Sequence, residues 1–136
     1  MTPEELRPLL AVVAEQVSLA AADLAQARAA AARVRQELAQ LGKTQAANAD
    51  LAAAHMAERH ALWRQKERGR LSAELAVRIA EAEGRATALA RVAAKKEALS
   101  ELLGEAEEKA ARQRHRRQDA ETQLQEMLRP LAGRYR

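Results

Sequence analysis

The sequence predicts an all-α chain folded as a long antiparallel two-helix coiled coil, a helical hairpin. Three observations predict it. Alanine makes up about a quarter of the 136 residues and charged residues 31%, the composition of long helices. Two apolar seams alternate spacings of three and four along most of the chain, the a and d positions of a heptad pattern. One tryptophan and one tyrosine are the only aromatics and there is no phenylalanine, so the large side chains that fill a thick globular core are missing. The 48% hydrophobic fraction is mostly alanine, which forms helix well but fills little volume. One domain over residues 1–136 follows.

The first arm covers about residues 3–67. Thr2-Pro3-Glu4-Glu5 reads as its start, with Thr2 as N-cap, Pro3 at the first helical position and Glu5 closing a capping box. Pro8 removes a backbone donor one turn in, so the helix either kinks there or begins there. The first seam then runs through Leu6, Leu10, Val13, Val17, Ala20 and Leu24, and on through Ala27, Ala31, Val34, Leu38 and Leu41. Beyond Leu41 it continues only through Gln45, Asn48, Ala52, His55, Arg59 and Leu62, which predicts the loosest pairing over 42–66.

Two places offer turn chemistry. Gly69 and Ser72 supply a C-cap and the next N-cap, which predicts a turn near Arg68–Ser72; Gly42 and Thr44 supply an alternative turn near Gly42–Asp50. Seam matching favours the first, because a central turn sets Leu6 against Leu131, Leu10 against Met127, Val34 against Leu103 and Leu38 against Leu99. It also sets Ala20 against Arg117 and Leu24 against Gln113, where a long stem covers a small neighbour. A shift of the register by seven residues also matches seam to seam.

The second arm covers about residues 72–129. A stripe through Leu71, Leu75, Ile79, Ala82, Ala86 and Leu89 joins, by a phase shift near Gly84–Val92, a seam from Leu89 to Leu131. Lys96, Gln113 and Arg117 interrupt it, and Pro130 and Gly133 end it. Acid-first pairs four apart support the arm, among them Glu74–Arg78, Glu81–Arg85 and Glu108–Arg112. Pairing is expected to be tight toward the chain termini and loose toward the turn.

Catalysis finds no support in the residues. There is no cysteine, which excludes disulfides and thiolate chemistry and suits a cytoplasmic protein. His55 and His60 are five apart, about 140° round a helix, and cannot chelate as an i,i+4 pair does. Gly42-Lys43-Thr44 lacks the upstream glycine and strand of a phosphate loop. No catalytic, cofactor or metal residue is therefore assigned. The stretch from Ser18 to Val34 is broken by Asp23, Arg28 and Arg33, so no membrane span is expected.

The net charge of +4 and pI of 10.0 permit acidic partners without demanding them. Arg112, Arg114, Arg116 and Arg117 form the densest basic run and are candidate partner contacts. No aromatic residue interleaves them, so base stacking is unsupported and no nucleic-acid partner is expected. Trp63 and Arg64 are the other candidates, Trp63 as a lone tryptophan among charges that either staples the arms or anchors a partner.

The whole-chain hairpin pattern, together with Ala61-Leu62-Trp63-Arg64, Gly84-Arg85-Ala86-Thr87-Ala88-Leu89, and Lys95-Lys96-Glu97-Ala98-Leu99 followed by a basic, glutamine-rich last helix, resembles the FliJ/YscO family of type III export proteins. The resemblance implies a non-catalytic central stalk. Its partners would be an export ATPase hexamer, which it would enter and stimulate, an export gate protein, and export chaperones. The expected place is the cytoplasm, peripheral to the inner membrane at most. The other readings are a coiled-coil adaptor or chaperone of a different secretion or division complex and, after it, a coiled-coil arm that contacts nucleic acid.

Overall fold

The computed structural model describes residues 1–43 and 54–133. They form two α-helices and no strand, α1 (Pro3–Lys43) and α2 (Ala54–Gly133), joined through residues 44–53. The two helices pack against each other as an antiparallel hairpin. Arg7 bonds Glu107 at 3.2 Å, while Asp23, farther along α1, bonds Arg85, earlier on α2, at 3.3 Å. The all-α helical hairpin read from the heptad pattern is therefore what the chain forms.

Helix α1 begins where the capping signal lies. The Thr2 Oγ1 accepts from the Glu5 N–H at 3.4 Å, and the Glu5 carboxylate accepts from the Thr2 N–H at 3.3 Å. This reciprocal box satisfies donors that the first helical turn leaves orphaned. The helix then runs through Pro8 without starting afresh. One proline so near the N-terminus removes a single ladder bond, and the apolar seam that follows holds the helix together.

Every residue of the expected first seam, Leu6 through Leu41, is buried or half-buried. The stripe on α2 behaves alike from Leu71 to Ala110, with Lys96 its one exposed member. The hairpin divides into two units. One joins Met1–Ala14 with Ala94–Arg136, and the other is Glu15–Ala93. In the first unit Leu6 is the buried anchor, at 2% exposure; in the second Leu24, Ala31, Val34 and Leu71 are buried, Leu71 at 3%.

The turn expected near Arg68–Ser72 is not there, because α2 runs unbroken from Ala54 to Gly133. The physical reason lies on both sides of Gly69. Arg70 binds Glu67 at 2.9 Å and Glu74 at 3.6 Å, and Arg78 binds Glu74 at 3.8 Å and Glu81 at 3.5 Å, a ladder of ion pairs along the helix. The hydrogen bond that Arg70 donates to the Glu67 carboxylate, then the fields of Glu67, Glu74 and Glu37 of α1, raise the Arg70 pKa above its ordinary value. Leu71 meanwhile buries its side chain. A helical glycine costs about 1 kcal/mol relative to alanine, whereas burying a leucine gains about 2 kcal/mol. Burial wins, and Gly69 keeps a helical backbone without positive φ. Of the alternative turn, Gly42 and Lys43 are the last residues of α1, and the rest lies outside the described residues, as do the weak seam positions Gln45, Asn48 and Ala52.

The register changes accordingly. The central turn would have set Arg7 opposite Pro130 and Asp23 opposite Arg114; they bond Glu107 and Arg85 instead. The slip is 23 residues by the first pair and 29 by the second, roughly three to four heptads. In the first unit the covered faces hold Leu6 and Leu10 of α1 and Leu99 and Leu103 of α2; in the second the slip brings Val34 and Leu38 level with Leu75 and Leu71. All four α2 residues are buried or half-buried. The expected pairings with Leu131, Met127 and Leu124 are not made, and those three residues are exposed. Likewise the expected arms of 3–67 and 72–129 give way to helices of 41 and 80 residues. The expectation of tight pairing up to the C-terminus is corrected too, since every residue from 111 to 133 is exposed.

Helix α1 is also apolar along much of its length. An 18-residue window of it reaches a mean hydropathy of 1.4, long and apolar enough to cross a bilayer by length and composition alone. Leucines and valines crowd the segment before Asp23 and outweigh its charges. They serve the seam on one side, while Leu9, Val12 and Leu19 remain exposed on another.

Two outcomes check this fold. Gly69→Ala is expected to raise stability by roughly 0.5–1 kcal/mol, because nothing lies within 4 Å of the added Cβ; a C-cap glycine would respond with a lower melting temperature in circular dichroism. Leu71→Ala is expected to cost about 2–3 kcal/mol in urea titration.

Candidate interaction surface

The six candidate contact residues fall in separate units. Trp63 and Arg64 belong to Glu15–Ala93, whereas Arg112, Arg114, Arg116 and Arg117 belong to the unit that holds the C-terminal part of α2.

Trp63 is 53% exposed and meets the His60 ring edge-on, with centroids 6.1 Å apart and planes at 87°. The three-residue spacing places both rings on one side of α2, where Met56 and Arg59 complete an open groove. An edge-to-face pair of this kind adds about 0.5–1.5 kcal/mol beyond area burial. It also holds the indole in place with half its surface in water. Arg64, the next residue, is half-buried and its Nε has no hydrogen-bond partner among the described residues.

The arginine run lies on a different kind of surface. From Ala111 to Gly133 no position of α2 is buried or even half-buried. Arg112 binds Glu108 one turn back at 3.4 Å, and His115 approaches Asp119 at 3.7 Å. Arg114, Arg116 and Arg117 have no ion-pair partner among the described residues. Arg112, Gln113 and Arg116 share a shallow groove with Glu105, Glu108 and Lys109. The upstream acids thus lie beside the first arginines, and the last arginines stand clear of them.

Sequence reasoning placed Leu124, Met127 and Leu131 in the seam and so overlooked them as surface. Met127 is 75% exposed, and Leu128 joins them. The signal that could have found them was the number of seam positions: α1 has too few to cover all of α2. Among the described residues no three histidine, cysteine or acidic side chains gather as metal ligands. The grooves are open troughs along a helix. What this surface can do is bind: a half-exposed indole in one unit, and a basic, apolar, fully exposed helix in the other.

Comparison with protein-family models, with curated proteins and with solved structures gives no match.

Exposure all round has a kinetic signature. In dilute solution trypsin is expected to cut first between Arg112 and Arg129, and amides of 111–133 to exchange faster than those of 71–110 in mass-spectrometric hydrogen exchange.

Proposed function

We propose that this chain is a non-catalytic coupling protein of a type III export apparatus, a stalk that enters and stimulates the ring of an export ATPase. One observation carries the reading. An 80-residue helix is paired with a 41-residue one, and its residues 111–133 are exposed on every side. A surface open all round suits a partner that surrounds it, and a single α-helix about 10–12 Å across is narrow enough for the pore of a ring. A partner that docked on one side would need only one exposed stripe.

The hairpin itself supplies the other requirement of such a part, a helix held in place where it leaves its partner. The seam through Leu6, Leu103 and their neighbours grips α2 just before the exposed segment. The resemblance in residues 61–64, 84–89 and 95–99 points the same way. Contacts with an export gate and with chaperones belong to this reading, and Trp63 with Arg64 is the half-exposed site available to them.

The test uses the purified chain and a purified export ATPase. Added chain is expected to raise hydrolysis severalfold and to promote hexamers. Replacing Arg114, Arg116 and Arg117 together by Ala is expected to remove most of that gain while leaving the helical content unchanged. No change in hydrolysis at micromolar chain would sink the export reading and leave the adaptor role in another complex.

A further inference from the structure

The first turns of α2 carry a cluster that the seam does not use. Every residue from His55 to Trp63 is exposed, and three of them are large and apolar: Met56 at 70%, Leu62 at 62% and Trp63. The seam at this level runs through the half-buried Arg64 and Glu67 to the buried Leu71, about 40–100° round the helix from Trp63. The cluster is turned the other way. Met56 lies two turns before Trp63 and within about 20° of it, whereas Leu62 lies about 100° away. Between them come Arg59 and Lys66, about 40° and 60° from Trp63. Two open grooves follow, one lined by Met56, Arg59, His60 and Trp63 and the other by His55, Met56, Glu58, Arg59 and Leu62. Arg59 stands in both.

Charge tells what kind of surface would cover this face. Residues 55–66 hold Arg59, Arg64 and Lys66 against one acid, Glu58. Glu58 lies past Leu62, at the edge of the face, about 140° from Trp63. Glu67, the acid on the Trp63 side, is already bound by Arg70 at 2.9 Å. Arg59 and Lys66 have no ion-pair partner among the described residues. The face is apolar at both margins and basic along its middle.

We propose that this face of α2, centred on Arg59 and Trp63, binds the surface of a bilayer that contains anionic phospholipid. Trp63, Met56 and Leu62 enter the boundary between headgroups and acyl chains, the depth that suits an indole, apolar in its rings and polar at its N–H. Arg59 and Lys66 run their stems along the apolar surface and leave their charges among the phosphates. The edge-on contact with His60 holds the indole in place beforehand, so less freedom is lost on binding. An acidic peptide finds no recess here, because the face is convex and its grooves are open; a fluid bilayer moulds itself to a helix. With three apolar anchors and two central cations the contact is weak, reversible and sensitive to salt. This occupant differs from the gate protein and chaperones that the export reading leaves to Trp63. Its test needs only this chain and lipid, so it stands or falls separately from the export ATPase experiment.

Trp63 is the only tryptophan and reports its own surroundings. With the full chain at low salt, mixed phosphatidylcholine and phosphatidylglycerol vesicles are expected to shift its emission to the blue and to cut acrylamide quenching roughly twofold or more. Phosphatidylcholine vesicles alone should do neither, and lipids brominated on the acyl chain should quench the indole directly. Arg59→Glu/Lys66→Glu keeps the reporter and is expected to co-sediment with the anionic vesicles roughly tenfold or more weakly, with its helical circular dichroism unchanged. Met56→Ser/Leu62→Ser should bind about fivefold more weakly. Co-sedimentation without any change in Trp63 emission would assign the lipid contact to another surface and overturn the proposal. So would an equal blue shift with polyglutamate, which would give the face to acidic proteins, an equal response to neutral vesicles, indifference to the charge reversal, or no binding at low salt.

Discussion

The apolar seam between α1 and α2 is the constraint from which the rest of the structure follows. It is thin. Among the described residues only Leu6, Leu24, Ala31, Val34 and Leu71 are buried, and most of the intervening seam positions are half-covered alanines, valines and leucines. Small side chains let two helices lie close, but they remove little area from water. The ion pairs cannot make up the difference. Arg7–Glu107 and Asp23–Arg85 are both about half-exposed on each side, and exposed pairs contribute about 0–1 kcal/mol each. They mark the register, and the leucines hold it.

A thin seam of limited length has a second consequence. Only as much of α2 can be covered as α1 can reach, and α2 has about twice as many residues. The remainder stays helical for a reason of its own. Starting a helix is costly, whereas extending one adds a hydrogen bond for each residue ordered. The packed part of α2 has already met that cost, so residues 111–133, rich in good helix formers such as arginine, glutamine and alanine, propagate it without packing. All of their side chains are then left for other molecules. The same economy of burial that keeps the seam thin leaves residues 111–133 exposed.

The candidate contacts were legible in the sequence to different depths. The arginine run stood out by density alone, and its exposure followed once the helix was known. Trp63 stood out as the single tryptophan, but its two possible roles could not be separated by composition. The structure places its ring against His60, half in water, rather than buried as a staple. The apolar residues Leu124, Met127, Leu128 and Leu131 were in plain view yet assigned to the wrong place. Their pattern is that of a seam, and a pattern names a face without naming what covers it.

The sequence by itself determined the helices, their faces and the start of α1. Propensity, the Thr2–Glu5 box and heptad spacing are local, and they act before the chain has folded back. The register was decided only by the tertiary structure. A heptad seam matches its partner at every shift of seven, so several registers bury the same apolar faces equally well. Gly69 offered the local chemistry of a turn, but Leu71 gained more by packing in a continuous helix than Gly69 could gain as a cap. Which of several equivalent registers formed depended on where the chain reversed, and with it which apolar residues were covered and which were left for a partner.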